Sequence, residues 1–499
     1  MSLRARLRAR PSRLGAAVSA LLIGAVAAVP AAAAPAPAAA DAVAPAATAN
    51  GEVIVHLFQW PWDSVAAECE NVLGPQGYGA VQVSPPQEHV VLPGEGHPWW
   101  QDYQPVSYGL ESRRGDAQDF ADMIASCRES GVRIYVDAVV NHMTGSGSVN
   151  SGPGSGGSSF TKYTYPGIYG DQDFHYCRRD ISNWNDPNEV RTCELVGLSD
   201  LATGSGYVRG RLNQYLSGLV GMGVAGFRVD AAKHMHPADL AAILGGLGQV
   251  PGFGGAPYVY QEVIEDAAIS PREYTGSGDV SDFRFHHTVS DAFRDGDIAR
   301  LRDLPGGMAV SSEQAQVFVD NHDTQRSSPT LTFRDGARYD LATGFMLAYP
   351  FGTPTVMSSY DFSDTDQGPP AQADGTTTPV DCGATWVCEH RRTTVAGLVG
   401  FRNATAGTGV TDWWSGAHGQ IAFGRGGAGY AVFNTGAALT RTFDSSLPAG
   451  TYCDVASGSR VDGSGGCTGA AYTVGADGGF TATVPTDTAL ALHIGQRAG

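Results

Sequence analysis

Positive charge is scarce in this chain of 499 residues. Lys and Arg together number 32 against 50 Asp and Glu, a formal net charge of −18 at pH 7. Residues 1–49 hold five of the arginines and a single acid, so the rest carries 27 cationic against 49 acidic residues, a net charge of −22. An acidic surface of this size argues against nucleic acid and anionic lipid as partners. It is compatible with a soluble protein that acts on a neutral substrate.

Long hydrophobic runs are equally rare, and the one candidate lies at the N-terminus. Five arginines precede the run LGAAVSALLIGAVAAV, and an Ala/Pro-rich stretch continues to about Asn50. This order of charged, apolar and small residues is typical of a secretory signal. A membrane anchor is disfavoured because the run is short and no stop-transfer pattern follows it. We therefore predict a signal peptide and leader over residues 1–49, and a secreted, extracellular monomer without a membrane span.

No Cys-x-x-Cys motif occurs, which disfavours a zinc or thiol redox centre. The eight cysteines are an even number in a chain predicted to be exported, and this indicates disulfides, although many pairings are possible. Three pairs are close in sequence and the last two cysteines remain by elimination, so the predicted pairs are Cys177 with Cys193, Cys382 with Cys388, Cys453 with Cys467, and Cys69 with Cys127.

Short apolar segments alternate with helical stretches from Glu52 to about Arg402, in a chain long enough for two or three domains. The segment 132–143 is apolar almost throughout, as expected for a strand buried on both faces of a parallel sheet. Eight strand–helix units in one direction predict an α/β fold, a (β/α)8 TIM barrel. The predicted strands cover residues 53–60, 79–86, 132–143, 224–229, 257–264, 282–289, 315–326 and 352–360.

Two regions depart from this alternation. Residues 144–204 are rich in Gly, Ser, Asn and Asp, and they predict an irregular subdomain that is inserted after the third strand and held by Cys177 and Cys193. After about Arg402, short alternating segments separated by Gly and Asp turns predict a C-terminal antiparallel β-sandwich. The predicted domains are the barrel in two parts, the insert and the β domain, over residues 51–140 with 205–403, 141–204 and 404–499.

Acidic residues follow several of the predicted barrel strands. Asp230 ends the fourth strand, Glu262 the fifth and Asp323 the seventh. Barrel enzymes carry their reactive groups at these C-terminal strand ends, so the three carboxylates are expected to converge. Two carboxylates that flank a bond can hydrolyse a glycoside, one as nucleophile and the other as acid and base. A third would raise the pKa of the proton donor and stabilise positive charge in the transition state.

Side chains suited to sugars surround these acids. The segment HPWWQDYQPVSY supplies the flat rings of Trp99, Trp100 and Tyr103 in a polar loop. Polar side chains able to bond hydroxyl groups are Gln104, His142 and His322. Both sets favour a carbohydrate substrate over a purely packing role for the tryptophans.

Four motifs together resemble the α-amylases. They are DAVVNH at 137–142, GFRVDAAKH at 226–234, YQEV around Glu262 and FVDNHD at 318–323, joined by PWWQDYQPVSY and WVCEHR. The likeness runs from about Glu52 to the end of the β domain. It is closest to the animal-type branch of the family, which streptomycete enzymes share.

The resemblance implies roles for individual residues. Asp230 would be the nucleophile, Glu262 the general acid/base and Asp323 the transition-state stabiliser. It further implies that Leu198, Arg228, Lys233 and His234 bind substrate. A calcium ion would be held where the insert meets the barrel, with its ligands drawn from the Asn141 side chain, the Asp200 carboxylate and the carbonyls of Arg191 and His234.

One family feature is doubtful in this chain. Chloride-activated relatives use an Arg, an Asn and a basic residue that stands just before VMSS. Arg228 and Asn321 match, but Thr355 occupies the third position, so chloride dependence is not expected.

The resemblance thus implies a calcium-containing, retaining, endo-acting hydrolase of the α-1,4 bonds of starch. Two alternatives stay open. The first is a maltooligosaccharide-releasing exo-enzyme or transglycosylase with the same three acids. The second is a non-catalytic glucan-binding protein.

Overall fold

A computed structural model describes residues 51–327, 330–461 and 463–498. The predicted signal peptide and leader lie outside this range. Within it, eight parallel strands form a closed barrel, and each strand pairs with the strands before and after it in chain order, the last with the first. The strands are β1 (Ile54–Leu57), β2 (Ala80–Val83), β3 (Arg133–Ala138), β4 (Gly226–Val229), β5 (Tyr258–Gln261), β6 (Asp279–Ser281), β7 (Ala315–Phe318) and β8 (Thr353–Ser358).

Helices connect and surround these strands. Helix α2 shows why they form here, because Asp116 caps its first turn and Phe120, Met123, Ile124 and Cys127 bury one face. Among the described residues, the α-helices of four or more residues are α1 (Trp62–Glu68), α2 (Ala117–Glu129), α3 (Pro187–Thr192), α4 (Gly206–Met222), α5 (Pro237–Leu244), α6 (Phe283–Asp295), α7 (Thr324–Ser327), α8 (Ala337–Ala348) and α9 (Thr393–Ala404). The predicted barrel is therefore confirmed.

The sixth strand was predicted in the wrong place. Residues 282–289 begin helix α6, and the sixth strand is the shorter Asp279–Ser281 just before it. The side chain of Asp282 accepts hydrogen bonds from the amides of Arg284 and Phe285 and so starts the helix. The apolar residues of DFRFHHTV fit both the two-residue repeat of a strand and the repeat of an amphipathic helix. The cap at Asp282 and the length of α6 distinguish the helix from the strand.

The insert between β3 and α4 is built from short pieces. It contains two small ribbons, Ser151–Pro153 with Ser159–Thr161 and Cys177–Asp180 with Cys193–Glu194, followed by a return to the barrel. The return segment pairs with the end of β3, where Leu201 N donates to Asn141 O at 3.0 Å. The insert therefore begins and ends beside the mouth of the barrel.

Eight antiparallel strands are described in the C-terminal domain, over residues 404–461 and 463–498. One sheet has the order β9-β10-β11-β16, and two ribbons pair β12 with β15 and β13 with β14. Phe433 of the sheet packs 5.9 Å from Phe345 of α8, which joins this domain to the barrel. The strands are β9 (Val410–Ser415), β10 (Gln420–Arg425), β11 (Gly429–Asn434), β12 (Leu439–Asp444), β13 (Gly450–Cys453), β14 (Ala471–Val474), β15 (Gly479–Val484) and β16 (Thr488–His493).

All four predicted disulfides are confirmed. Cys69–Cys127 ties the π-helical segment that continues α1 to α2, while Cys177–Cys193 links the second ribbon of the insert. Within the described residues, no helix has the length and apolar character that a bilayer span needs.

Candidate active site

A cleft of about 430 Å³ opens at the C-terminal ends of the barrel strands. Asp230, Glu262 and Asp323 all lie in it, as their positions at strand ends predicted. The remaining lining residues are Trp99, Trp100, Tyr103, His142, Trp184, Leu195, Leu198, Ala231, Lys233, His234, Ile264 and His322.

Arg228 draws the carboxylates of three strands together. Its Nη1 lies 2.7 Å from Asp137 Oδ1 and 2.7 Å from Asp230 Oδ1. Its Nη2 lies 2.9 Å from Glu262 Oε1. The guanidinium is 4% exposed, and a charge this deeply buried is stable only when it is paired. Asp230 and Glu262 are thus held on neighbouring nitrogens of one planar group.

The backbone after Asp230 is turned sharply. Ala231 has a φ of +50°, which is uncommon for a residue with a side chain. This conformation points the Ala231 amide at Glu262, and the N–H donates to Oε2 at 2.9 Å. Such strain is found where the surrounding structure enforces it, often at functional sites. The end of strand β4 thereby positions Asp230, which is bonded to Arg228, and Glu262, which is bonded to the Ala231 amide.

Three aspartates of the site have raised pKa values. Burial raises the pKa of Asp230, while the neighbouring Arg228 charge lowers it. Burial, with the Glu262 charge as the next cause, raises the pKa of Asp323 to about 7. Burial likewise raises the pKa of Asp137 to about 7. The cluster can therefore hold a proton near neutral pH, which is what general acid chemistry needs.

Two histidines of the cleft are neutral for the same reason, because burial disfavours the charged form of acids and bases alike. Burial lowers the pKa of His142 to about 4 and that of His322 well below its usual value. His142 Nε2 lies 3.0 Å from Tyr103 O, and the His322 ring stacks on Tyr103 at 5.2 Å. Neutral imidazoles can bond the hydroxyl groups of an uncharged ligand without bringing in more charge.

The structure brings together most of the predicted substrate-binding residues, with two exceptions. Gln104 is 1% exposed; its Oε1 accepts from Gly145 N at 2.9 Å and its Nε2 contacts Ser146 O at 3.4 Å. It therefore anchors the insert and does not reach the cleft surface. Arg228 lies beneath the acids and contacts the cleft only through them.

Four lining residues were missed by the sequence analysis: Trp184, Leu195, Ala231 and Ile264. Trp184 is 43% exposed, and its ring lies 6.0 Å from that of His234. Lys233 Nζ, which is paired with Asp266 at 2.5 Å, lies 5.4 Å from the same ring. Trp184 and Leu195 belong to the irregular insert, which has no regular spacing of apolar residues from which to place them.

The four predicted calcium ligands lie where the insert meets the barrel. Asn141 and Asp200 are adjacent through the bridge between His142 and Asp200. His234 Nδ1 lies 2.9 Å from Val190 O, beside Arg191 in α3. Among the described residues, no N–H or O–H group donates to the carbonyl oxygens of Arg191 or His234.

This donor set fits calcium, which prefers oxygen ligands. Burial raises the pKa of Asp200 to about 7, although His175 Nδ1 lies 2.5 Å from its Oδ2. A cation at this carboxylate would offset the cost of burying its charge. No cluster of three or more His, Cys, Asp or Glu side chains suited to a metal exists within the described ranges.

The residues considered for chloride have other partners. Thr355 Oγ1 accepts from Gln316 Nε2 at 2.7 Å, and Asn321 Oδ1 accepts from the amides of Asp323 and Thr324. Arg228 is occupied by three carboxylates, as described above. This arrangement leaves little uncompensated positive charge for an anion.

Another buried carboxyl group, that of Asp320, lies outside the cleft lining. Asp320 accepts from Tyr339 Oη at 2.8 Å and from Gln325 Nε2 at 2.6 Å. Burial raises its pKa to about 8. Because its pKa in the unfolded chain is about 3.9, the folded state keeps a proton that the unfolded state loses. The stability from this proton is fully present below about pH 4 and is lost as the pH rises through about 8.

Replacing Asp320 with Asn is expected to flatten the pH dependence of stability. The Asn side chain mimics the protonated Asp320 carboxyl group. A flip of the Gln325 amide would turn its Oε1, which is buried without a described partner, toward the Asn N–H group as an acceptor. Between pH 5 and 8.5 the wild type should lose several kcal/mol more of its unfolding free energy than the variant. Denaturant unfolding at both pH values measures this, with Asp364→Asn as the surface control. Equal losses in wild type and variant would assign the pH dependence to other groups.

Comparison with known proteins agrees with this geometry. The family model for the α-amylase catalytic domain matches residues 95–242, and that for the α-amylase C-terminal all-β domain matches residues 413–495. An α-amylase of Thermomonospora curvata is 59% identical over 455 residues, which cover 90% of this chain and 74% of that protein. The chain belongs to the α-amylase family.

Relatives of this α-amylase family member also occur among animals. An α-amylase of Tenebrio molitor is 47% identical over 89% of this chain and 97% of its own length. The crystal structure of α-amylase I from Eisenia fetida superposes with a TM-score of 0.84, at 38% identity, over 90% of this chain and 99% of that one. A Glu-to-Gln variant of the Eisenia enzyme has been solved with maltohexaose, with a TM-score of 0.84. The family membership makes this protein a glycoside hydrolase.

Proposed function

We propose that this protein is a secreted, endo-acting, retaining α-amylase that hydrolyses α-1,4-glucosidic bonds in starch and related glucans. The observation that carries the proposal is the pair of acids on one guanidinium, Asp230 and Glu262 on adjacent nitrogens of Arg228. Retaining glycosidases keep their two carboxyl groups about 5 to 5.5 Å apart, whereas inverting enzymes separate them by about 6.5 Å or more. Because Asp230 and Glu262 both pair with the Arg228 guanidinium, the shorter spacing of retaining enzymes is favoured.

The reaction would proceed by two displacements. Asp230 attacks the anomeric carbon while Glu262 donates a proton to the leaving glycosidic oxygen, which leaves a covalent glycosyl–enzyme ester. Glu262 then removes a proton from water, the hydroxyl attacks the same carbon, and Asp230 is released. Asp323 would stabilise the positive charge on the sugar in both transition states.

The walls of the cleft suit a glucan chain on both sides of these acids. Trp99, Trp100 and Tyr103 supply aromatic rings to the cleft, Trp184 supplies another ring near Lys233 and His234, and Ile264, two residues after Glu262, supplies apolar surface. The proton donor defines the leaving-group side, so Ile264 would contact the departing chain and Trp99 the retained one. The maltohexaose bound by the Eisenia variant supports a linear glucan as ligand.

The decisive experiment is hydrolysis of soluble starch. An endo-acting enzyme should abolish iodine staining before many reducing ends appear, because each internal cut shortens long chains. Release of one short product from the start would favour the exo-enzyme, and products longer than a defined oligosaccharide substrate would favour the transglycosylase. No new reducing ends at all would leave only glucan binding, which the presence of all three carboxylates disfavours.

Calcium is proposed at the junction of Asn141, Asp200 and the carbonyls of Arg191 and His234. The ion would tie the insert to the barrel, and no step of the reaction requires it to touch substrate.

The remaining proposals are removal of residues 1–49 on secretion, a monomeric state, and the domain limits given from the sequence. N-terminal sequencing, light scattering and limited proteolysis test them.

Removing calcium is expected to lower the melting temperature by several degrees or more, because an ion bound only by the folded state stabilises it. Hydrogen exchange should rise mainly in residues 144–204, which the ion would fasten to Asn141. Calcium added back should restore both, and Asp200→Asn should weaken the response. Identical melting curves with and without chelator, after verified metal loss, would contradict the proposal.

Activity is expected to be independent of chloride. Thr355 provides a hydroxyl where a cation would be needed, and Arg228 is neutralised by the acids around it. The measurement is turnover in chloride-free acetate buffer with chloride titrated from zero, beside a Thr355→Arg variant. A several-fold rise that saturates at millimolar chloride in the wild type would show that the anion binds.

A further inference from the structure

We propose that Arg326 is a positioning residue that locks the aromatic wall of the cleft to the loop carrying His322 and Asp323. The expected effect on glucan hydrolysis depends on the function proposed above, but the structural part of the inference does not. Arg326 lies in α7, directly after that loop, and it is not part of the cleft lining.

The guanidinium of Arg326 lies among four aromatic rings. Its Cζ is 4.1 Å from the centroid of Phe362 and 5.3 Å from those of Phe58, Trp99 and Tyr360. Cation–π contacts of this kind are attractive, and they are stronger when water is excluded. One side chain therefore contacts both a cleft residue, Trp99, and the rings behind it.

The same guanidinium also holds the loop of the catalytic acid. Its Nη1 donates to His322 O at 2.6 Å, and the Arg326 amide donates to Asp323 O at 2.9 Å. His322 in turn lies 3.3 Å from Asp323 through Nε2 and Oδ2. A movement of Arg326 would thus displace Trp99 and Asp323 together.

The electrostatics indicate why these contacts are specific. Within the described residues, none of the ion pairs involves Arg326, and its Nε is buried without a hydrogen-bond partner. An arginine charge without a carboxylate is compensated here by the ring faces and the His322 carbonyl. The planar guanidinium can lie flat on a ring and keep that hydrogen bond, which a lysine ammonium cannot reproduce.

Trp99 is fixed from its other side by the segment after Tyr360. Its indole N–H donates to Thr365 O at 2.9 Å, and its amide lies 3.4 Å from Asp366 O. Phe362, from the same segment, packs against Arg326. Trp99 is therefore held between this segment and α7. Arg326 is an α7 residue that contacts both Trp99 and Phe362.

Arg334 offers a matched control. Its Cζ lies 4.2 Å from the same Phe362 ring, and its Nη2 pairs with Asp361 at 3.0 Å. It has no described contact with Trp99 or His322. Loss of either arginine removes a cation from Phe362, but only loss of Arg326 disturbs the cleft.

The test compares Arg326→Gln, Arg326→Lys and Arg334→Gln with the wild type. The first readout is the indole N–H resonance of Trp99, assigned with a Trp99→Phe variant, and it needs no activity. It should shift in Arg326→Gln and stay in place in Arg334→Gln. The second readout is kinetics on starch, where Arg326→Gln should lose about 10- to 100-fold in kcat/KM, largely in kcat. Arg326→Lys should fall between, and Arg334→Gln should remain within about twofold of wild type.

The inference is overturned if Arg326→Gln leaves the Trp99 resonance and kcat unchanged, or if Arg334→Gln produces the same changes. Both variants are expected to melt at a lower temperature, so melting alone does not distinguish them. If Arg326→Gln does not fold, Arg326→Lys takes its place and must show the Trp99 shift. A wild type inactive on starch whose Trp99 resonance still responds to Arg326 would reject the proposed function and retain the positioning role.

Discussion

Asp230→Asn is expected to lower kcat on starch by about 10⁴-fold or more, because the amide cannot attack the anomeric carbon. The fold should survive, since Arg228 keeps Asp137 and Glu262 as partners when the Asp230 charge is removed. The measurement is reducing-end release at saturating substrate, with the melting temperature recorded for each variant.

Asp320→Asn is the control for this prediction, because Asp320 is a buried aspartate that does not line the cleft. It should retain most of the wild-type turnover near pH 6. If Asp230→Asn kept a tenth of the wild-type activity, the nucleophile would have to be assigned to another residue. Detection of a glycosyl ester on Asp230 by mass spectrometry, with a slowly hydrolysed substrate analogue, would support the assignment directly.

Glu262→Gln is expected to show a comparable loss on starch, because the leaving oxygen is deprived of its proton donor. The Gln side chain can still accept from the Ala231 amide, so the local backbone should be retained. An aryl maltooligoside with a good leaving group needs little protonation for the first step. On that substrate the variant should form its covalent intermediate readily, and the second step should become rate-limiting.

A burst of aryl alcohol before the steady state would reveal that change of rate-limiting step. Asp230→Asn serves as the contrast, because without the nucleophile it should release no burst of aryl alcohol from the aryl maltooligoside. Equal losses of Glu262→Gln on starch and on the activated substrate would move the acid/base role to another carboxyl group. Asp323, the third carboxylate of the cleft, would then be the next candidate.

Much of the fold could be predicted from the sequence because its signals are local. Continuous apolar runs such as 132–143 report burial on both faces, and eight of them separated by helices leave few topologies other than a barrel. The error at residues 282–289 came from the same kind of signal. There a short amphipathic segment satisfies two spacings, and the cap at Asp282 decided in favour of the helix.

The sequence by itself determined which acids could meet. Asp230, Glu262 and Asp323 each follow a strand, and parallel strands in a barrel end at the same rim. Residue type and position were sufficient for this, and sequence proximity was sufficient for the disulfide pairs. The resemblance of the motifs to one family pointed to the same residues.

The tertiary structure alone decided how those acids are held and what surrounds them. The three-way pairing of Arg228, the turned amide of Ala231 and the box of rings around Arg326 join residues distant in the chain. No local pattern encodes such contacts, because they depend on which side chains the closed barrel brings within a few ångströms. For the same reason the sequence did not predict that Trp184 lines the cleft, and it wrongly placed Gln104 there. The position of both residues depends on how the irregular insert packs against the barrel mouth.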